Sequence, residues 1–475
     1  MAALHELDAQ ALSRAYATGE ASPVEAVAAC IAHIGRWEPQ LCALYAYDPE
    51  AAQVAAQDSE KRWRAGAPLS ALDGVPVTVK ENIATRGVPM PAGTAASELF
   101  PAQEDAPPAA RLREAGCILL GKTTMPDYGM LTSGLSSFHH LSRNPWNLRM
   151  NPGGSSAGAA AAAAAGYAPL HLGTDIGGSI RLPASMCGVF GLKPSLGRIP
   201  IKPPFAGRAA GPMTRTVTDA AMLMRPLSRP DWRDTMSLPP QDIAWDALDI
   251  EVRGLRLGLL MDAGWGLPAE PEVAAAVRAA ARAFEAAGAT VEEIAPFSTR
   301  EMIDGLDRFW RMRSWLDISA LPPQRQAKVL PYIRQWVSTA ATLSAAEVFH
   351  GYSQMGALRE AAVRACQPYD FVLSPVAPVA GYPAGSASPI DDPMRPFEHI
   401  AFTLPYNMSE QPAASIDCGH TGAGLPIGLQ IAGHRHDDLG VLRLARAWER
   451  MRPAPRPWPS PPAVDGPACL PSTPR

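Results

Sequence analysis

Asn151-Pro-Gly-Gly-Ser155-Ser156-Ala-Gly158 runs directly into seven alanines, Ala159–Ala165, and Gly173-Thr-Asp175-Ile176-Gly177-Gly178-Ser179-Ile-Arg181-Leu-Pro183 follows shortly after. Alanine is the strongest helix former and the slimmest, so the run predicts a helix that packs deep inside the molecule and holds the serine loops rigidly at its ends. Glycine at 177 and 178 lets successive backbone N–H groups converge on one point, as an oxyanion hole requires. Ser179 comes next in the chain, placed to attack a carbonyl whose oxygen sits in that nest. Taken alone, either loop reads more readily as a glycine-rich turn capped by serine.

Outward from this tract the chain alternates strands and helices. Ser22-Pro23 reads as an N-cap with proline in the first turn, and Val24, Val27, Ile31 and Ile34 fall on one helical face. Residues 48–65 continue helically, and Gly74-Val-Pro-Val-Thr-Val-Lys80 reads as a short buried strand ending at a lysine. A helix at 107–115 leads to a strand at 117–122, and 168–175 forms another. Further strands are expected at 255–260, 290–294, 371–375 and 427–433, with helices near 270–287, 344–366 and 438–450. The alternation implies an α/β fold, a mixed twisted sheet covered by helices on both faces. Residues 226–250 lose all periodicity and read as a surface connection. The stretch 298–345, helical and rich in Arg and Trp, is expected to form a cap or a partner surface. From 451 to 475 the proline content predicts an extended or disordered tail.

Composition narrows the function. The 475 residues carry 42 Lys+Arg against 46 Asp+Glu, a formal net charge of −4, and mean hydropathy is −0.05. That balance offers no footprint for nucleic acid and no polybasic face for a membrane. Seven scattered cysteines with no C-x-x-C pattern suit a reducing compartment, and the acidic N-terminus does not read as a signal peptide. A cytoplasmic monomer or homodimer is expected. Metal-ligand spacings such as H-E-x-x-H are absent, and no cofactor is implied.

Two motif matches fail on context. Gly116-Cys-Ile-Leu-Leu-Gly-Lys122-Thr123 satisfies the phosphate-loop expression, yet its intervening residues are themselves a strand and Pro126 follows where a helix should open. Gly154-Ser-Ser156-Ala-Gly158 satisfies the nucleophile-elbow expression, yet a turn precedes it instead of an apolar strand. No histidine among His171, His350, His399, His420, His434 and His436 stands in a context that marks it as a base.

Taken together, the Gly74–Asn82 segment, the Gly-Gly-Ser-Ser tract and the Gly-Thr-Asp-Ile-Gly-Gly-Ser-Ile-Arg run resemble the amidase signature family. Gly188-Val-Phe-Gly-Leu-Lys-Pro194, Gly211-Pro-Met-Thr-Arg215, Leu404-Pro-Tyr-Asn and Gly424-Leu-Pro-Ile-Gly-Leu-Gln-Ile continue the pattern, so the resemblance spans most of 1–450 as one domain, with core motifs in 74–220. It implies a triad of Ser179 as nucleophile, Ser155 as bridging serine after a cis Gly154–Ser155 bond, and Lys80 as the ultimate base. It further implies oxyanion donors at Ile176, Gly177, Gly178 and Ser179, with Ser156, Asp175 and Arg181 in support and Lys193 merely structural. Burial on an apolar strand is expected to lower the Lys80 pKa so that a neutral amine can take the proton.

The substrate pocket is expected at Gly129, Met130, Leu131 and the Phe205 loop. Their small or apolar character favours an uncharged amide or carbamate of the aryl or urethane type, opened through an acyl- or carbamoyl-serine. The alternative within the family is the glutamine amidase (A) component of the tRNA-dependent amidotransferase, from which Ser195-Leu-Gly-Arg-Ile-Pro-Ile-Lys202 departs. Glu410 stands where the family usually has glycine before Gln411-Pro412. A catalytically silent scaffold is the remaining alternative.

Overall fold

Strand β2 (Pro76–Lys80) alternates so that Val77 and Val79 enter one hydrophobic core while Thr78 and Lys80 point to the opposite face of the sheet. Strand β4 (Leu170–Asp175) repeats the division: Leu170 and Leu172 join the same core, and the His171 Nδ1 lies 2.7 Å from Thr78 Oγ1. The two strands are parallel neighbours, with Val79 opposite Leu172. Their carboxyl ends therefore lie side by side and bring Lys80 close to the loop after Asp175. In parallel sheets this is the edge where ligands bind.

The computed structural model describes residues 3–462. The remaining strands are β1 (Leu44–Tyr45), β3 (Ile118–Thr123), β5 (Phe190–Lys193), β6 (Ala209–Thr214), β7 (Arg256–Leu259), β8 (Thr290–Glu293), β9 (Phe371–Pro375), β10 (Ala413–His420) and β11 (Pro426–Ala432). Together they form one eleven-stranded sheet in the order β1-β3-β2-β4-β6-β5-β10-β11-β9-β7-β8. Parallel pairs flank an antiparallel middle: β3, β2 and β4 run parallel on one side, β9, β7 and β8 on the other. The fold is α/β, a single large domain, as expected.

One face of the sheet carries the main core, into which the helices Ala9–Thr18, Val217–Leu227, Pro271–Ala286 and Asp438–Met451 pack. The polyalanine helix, Ala157–Ala165, has every residue buried and contacts β2, β3, β4 and β6. Its closeness to the sheet depends on missing side chains. A Cβ at Gly158 would stand 2.3 Å from Ala43 O and 2.5 Å from Thr124 N. The Ser22 cap is present in full, its hydroxyl accepting from the Glu25 N–H while the Glu25 carboxylate accepts from the Ser22 N–H.

Strands β5, β6 and β10 were not legible from periodicity. β6 carries Gly211 and Pro212 at its centre, and proline in a strand argues against an interior position. It is tolerated because β5 pairs with β6 only at Met213 and Thr214. Within the tail, Trp458 sits under the Arg215 guanidinium, 4.5 Å from the ring centroid, and packs beside the polyalanine helix. Residues 463–475 of that tail, including Cys469, lie outside the described residues. Among the described residues no helix is long and apolar enough to cross a membrane.

Gly158→Ala should lower the melting temperature by several degrees, since the added methyl meets backbone that cannot give way, at a cost of about 1–3 kcal/mol. Gly35→Ala, in the Pro23–Leu41 helix with nothing within 4 Å of the new methyl, should raise stability by about 0.5–1 kcal/mol. Thermal denaturation of the two variants side by side checks both signs.

Candidate active site

Lys80 is fully buried, and its Nζ donates to Ser155 Oγ at 2.8 Å, to Ser156 Oγ at 3.0 Å and to Thr174 O at 3.4 Å. Burial pulls its pKa well below the ordinary lysine value, and the nearby positive charge of Arg208 pulls in the same direction against Asp175 and Glu81. Two further lysines are buried, but Lys122 Nζ donates to Ile83 O at 2.8 Å and Lys193 Nζ to Pro194 O at 2.9 Å, so neither reaches a serine. The Gly154–Ser155 peptide is cis. Ser156 Oγ also donates to Thr174 O at 3.1 Å, fastening the start of the polyalanine helix to the end of β4. Glycine is required opposite it, because a Cβ at Gly173 would stand 2.8 Å from Ser156 Oγ.

Ser179 lies half-buried at the mouth of the loop after β4, and its hydroxyl forms no hydrogen bond among the described residues. Lys80 and Ser155 thus stand within hydrogen-bond distance, while Ser179 lines the cavity without a hydrogen bond to either. The loop itself is held by Asp175, whose carboxylate accepts from the N–H groups of Gly178 (2.8 Å) and Ile180 (3.1 Å). The Gly178 N–H is therefore engaged, a correction to the expected set of oxyanion donors. The N–H groups of Ile176, Gly177 and Ser179 donate to no other group among the described residues.

Asp175 and Arg181 form an ion pair at 3.0 Å with both side chains sealed from solvent. Burial alone would raise the Asp175 pKa, but the Arg181 guanidinium and the Asn407 amide hold it well below the carboxylate range. Arg181 donates in addition to Thr403 O, Gln430 Oε1 and Asn407 Oδ1.

Ser155 and Ser179 open into a cavity of about 310 Å³. All four expected pocket residues, Gly129, Met130, Leu131 and Phe205, line it. A Cβ at Gly129 would approach Ser155 Oγ to 3.3 Å. The 298–345 stretch supplies Trp310, Tyr332 and Trp336 to the same wall, and Phe397 closes it. Sequence reading missed three charged lining residues, Arg208, Arg313 and Asp317. They add charge to a pocket expected from small and apolar residues, and no motif marks them in the sequence. Of the histidines, His399 reaches the cavity, where its Nε2 lies 2.7 Å from Thr132 Oγ1 and burial lowers its pKa to about 3. Glu410 adopts φ +66°, a region that suits glycine, and its carboxylate is clamped by Arg359 at 2.5 Å and Arg435 at 2.6 Å.

A buried lysine on paired serines at the edge of a cavity is an arrangement suited to activating a serine nucleophile. The family model described as Amidase matches residues 25–442, and the chain belongs to the amidase signature family. It is 38% identical to the A chain of the glutamyl-tRNA(Gln) amidotransferase of Myxococcus xanthus, over 94% of this chain and 97% of that protein. The protein of the same name from Chloroflexus aggregans is 33% identical, over 95% and 97%. Among solved structures, a bacterial aryl acylamidase superposes with a TM-score of 0.87 at 29% identity, covering 95% of this chain and 97% of that one.

Arg181→Met should destabilise the protein by about 3–5 kcal/mol, because it leaves the Asp175 carboxylate buried without a counter-charge. Adding Asp175→Asn to that variant removes the stranded charge and should recover part of the loss. Urea unfolding of the single and double variants measures the difference.

Proposed function

We propose that this chain hydrolyses amides through an acyl-enzyme on Ser179. The observation that carries the reading is the 2.8 Å contact between Lys80 Nζ and Ser155 Oγ in the wall of the cavity that Ser179 faces. Neutral Lys80 takes the Ser155 proton as Ser155 takes that of Ser179, whose oxygen attacks the amide carbon. The N–H groups of Ile176, Gly177 and Ser179 are placed to hold the oxyanion. Ser155 returns its proton to the departing nitrogen, the C–N bond breaks, and water then releases the acyl group by the same steps in reverse. Ser156, Asp175 and Arg181 position these groups, and the 298–345 helices serve as the cap of the site.

Two substrate readings divide the support. The sequence relatives favour glutamine as ammonia donor, with the chain working as the amidase component of an amidotransferase beside further subunits. By that measure glutamine is better supported than the aryl amide or carbamate expected from the apolar pocket residues. The aromatic walls formed by Phe205, Trp310, Trp336 and Phe397, together with the likeness to an aryl acylamidase, favour the aryl substrate.

Product release from glutamine, an anilide and an aryl carbamate, followed by mass spectrometry with Ser179→Ala as blank, separates the readings. Ammonia from glutamine alone supports the amidotransferase component, and release of the aromatic amine supports the stand-alone hydrolase. No product dependent on Ser179 from any of the three defeats both and favours the silent scaffold.

Lys80→Met should lower kcat/KM by about a thousandfold or more without loss of folding, since methionine fills the volume and needs no hydration. The base works only when neutral, so activity rises with pH through the Lys80 pKa. Arg208→Gln removes one of the influences that keep the amine neutral and should move that rising limb to higher pH. A limb that stays in place or moves lower counts against Lys80 as the base.

A further inference from the structure

Several buried or half-buried arginines in this protein have identifiable counter-charges. Arg181 meets Asp175, Arg198 meets Asp438 and Arg62 meets Asp73. Arg215 donates instead to Ala163 O and Ala164 O at the carboxyl end of the polyalanine helix, where the helix dipole supplies negative charge. Half-buried Arg208 and the more exposed Arg313 are different. Arg208 stands just before β6 and Arg313 lies in the Arg300–Ser319 helix, and both line the cavity that holds Ser155 and Ser179. One hydrogen bond from Arg208 Nη1 to Pro203 O, at 3.2 Å, uses one of the five N–H donors of that guanidinium. Arg313 lies over the Phe205 ring, 4.0 Å from its centroid. Neither forms an ion pair among the described residues. Asp317, one helical turn beyond Arg313, lines the same cavity and pairs with neither.

Two guanidinium groups line one cavity, and like charges in a common space repel. Burial and the Arg313 charge both make the Arg208 cation less favourable. An anion placed between them removes that cost, and the planar fork of unused donors fits a carboxylate. We propose that Arg208 and Arg313 together read a carboxylate on the substrate, so that the cavity selects amides carrying an anionic group near the scissile bond. The inference rests on the cavity being the amide site of the proposed function, and it deepens that reading by naming the charge of the substrate. Glutamine meets the requirement through its own carboxylate. An aryl amide meets it only if it bears an acid.

Binding to the Ser179→Ala protein, measured by calorimetry, tests this without turnover. Glutaric acid mono(4-nitroanilide) is compared with its methyl ester, and 4-acetamidobenzoate with 4-acetamidobenzamide, so that the carboxylate lies on the acyl side in one pair and on the leaving side in the other. In at least one pair the carboxylate should bind about tenfold or more tightly than its neutral partner. Arg208→Gln or Arg313→Gln should remove most of that advantage, and Arg208→Lys, which keeps the charge and loses the fork, should keep part of it. Equal binding within both pairs, absence of binding by either carboxylate, or an advantage that survives the combined Arg208→Gln and Arg313→Gln changes overturns the proposal. Failure of the underlying reading shows elsewhere, as hydrolysis that does not depend on Ser179.

Discussion

The Asp175–Arg181 ion pair, sealed from solvent at the end of β4, holds together the parts of the molecule that meet at the site. Its carboxylate gathers two N–H groups of the Ser179 loop, and its guanidinium reaches the Thr403 carbonyl, Asn407 and the Gln430 side chain on β11. A charge pair this deep is costly to desolvate, and its worth lies less in net stability than in direction. Each donor and acceptor is matched, so the loop has one arrangement in which no buried charge is stranded. That arrangement turns the Gly178 N–H inward and leaves those of Ile176, Gly177 and Ser179 unengaged.

Lys80 presents the opposite electrostatic case. It is buried with no carboxylate in contact, its amine donating only to two hydroxyls and a carbonyl. The cheapest way to bury such a group is to leave it uncharged, and a neutral amine is what a serine relay needs. The same site thus holds one matched charge pair beside one lysine whose burial disfavours its charge, at neighbouring strand ends. Arg208 belongs to this balance: its positive charge disfavours a second cation at Lys80, and it remains available to an anion in the cavity.

Much of this was legible in the chain. Helix starts at Ser22 and Pro107, the buried strand ending at Lys80, and the helical alanine run all follow from local rules of capping, alternation and propensity. The serines and the lysine were marked by motif resemblance, and the pocket residues Gly129 to Leu131 came with them. Less legible were β5, β6 and β10, whose glycines and proline break the strand pattern, and the positive-φ position of Glu410, which became intelligible only once Arg359 and Arg435 were seen to clamp it.

The sequence by itself determined the secondary structure around the serine tract, the α/β class and the family, because these depend on neighbours in the chain and on motifs that survive without a fold. Only the tertiary structure decided which N–H groups of the loop are engaged, and that two arginines far apart in the chain share one cavity wall. Those outcomes rest on distances between segments remote in sequence, and on which charges find a partner once water is excluded. No local pattern encodes either.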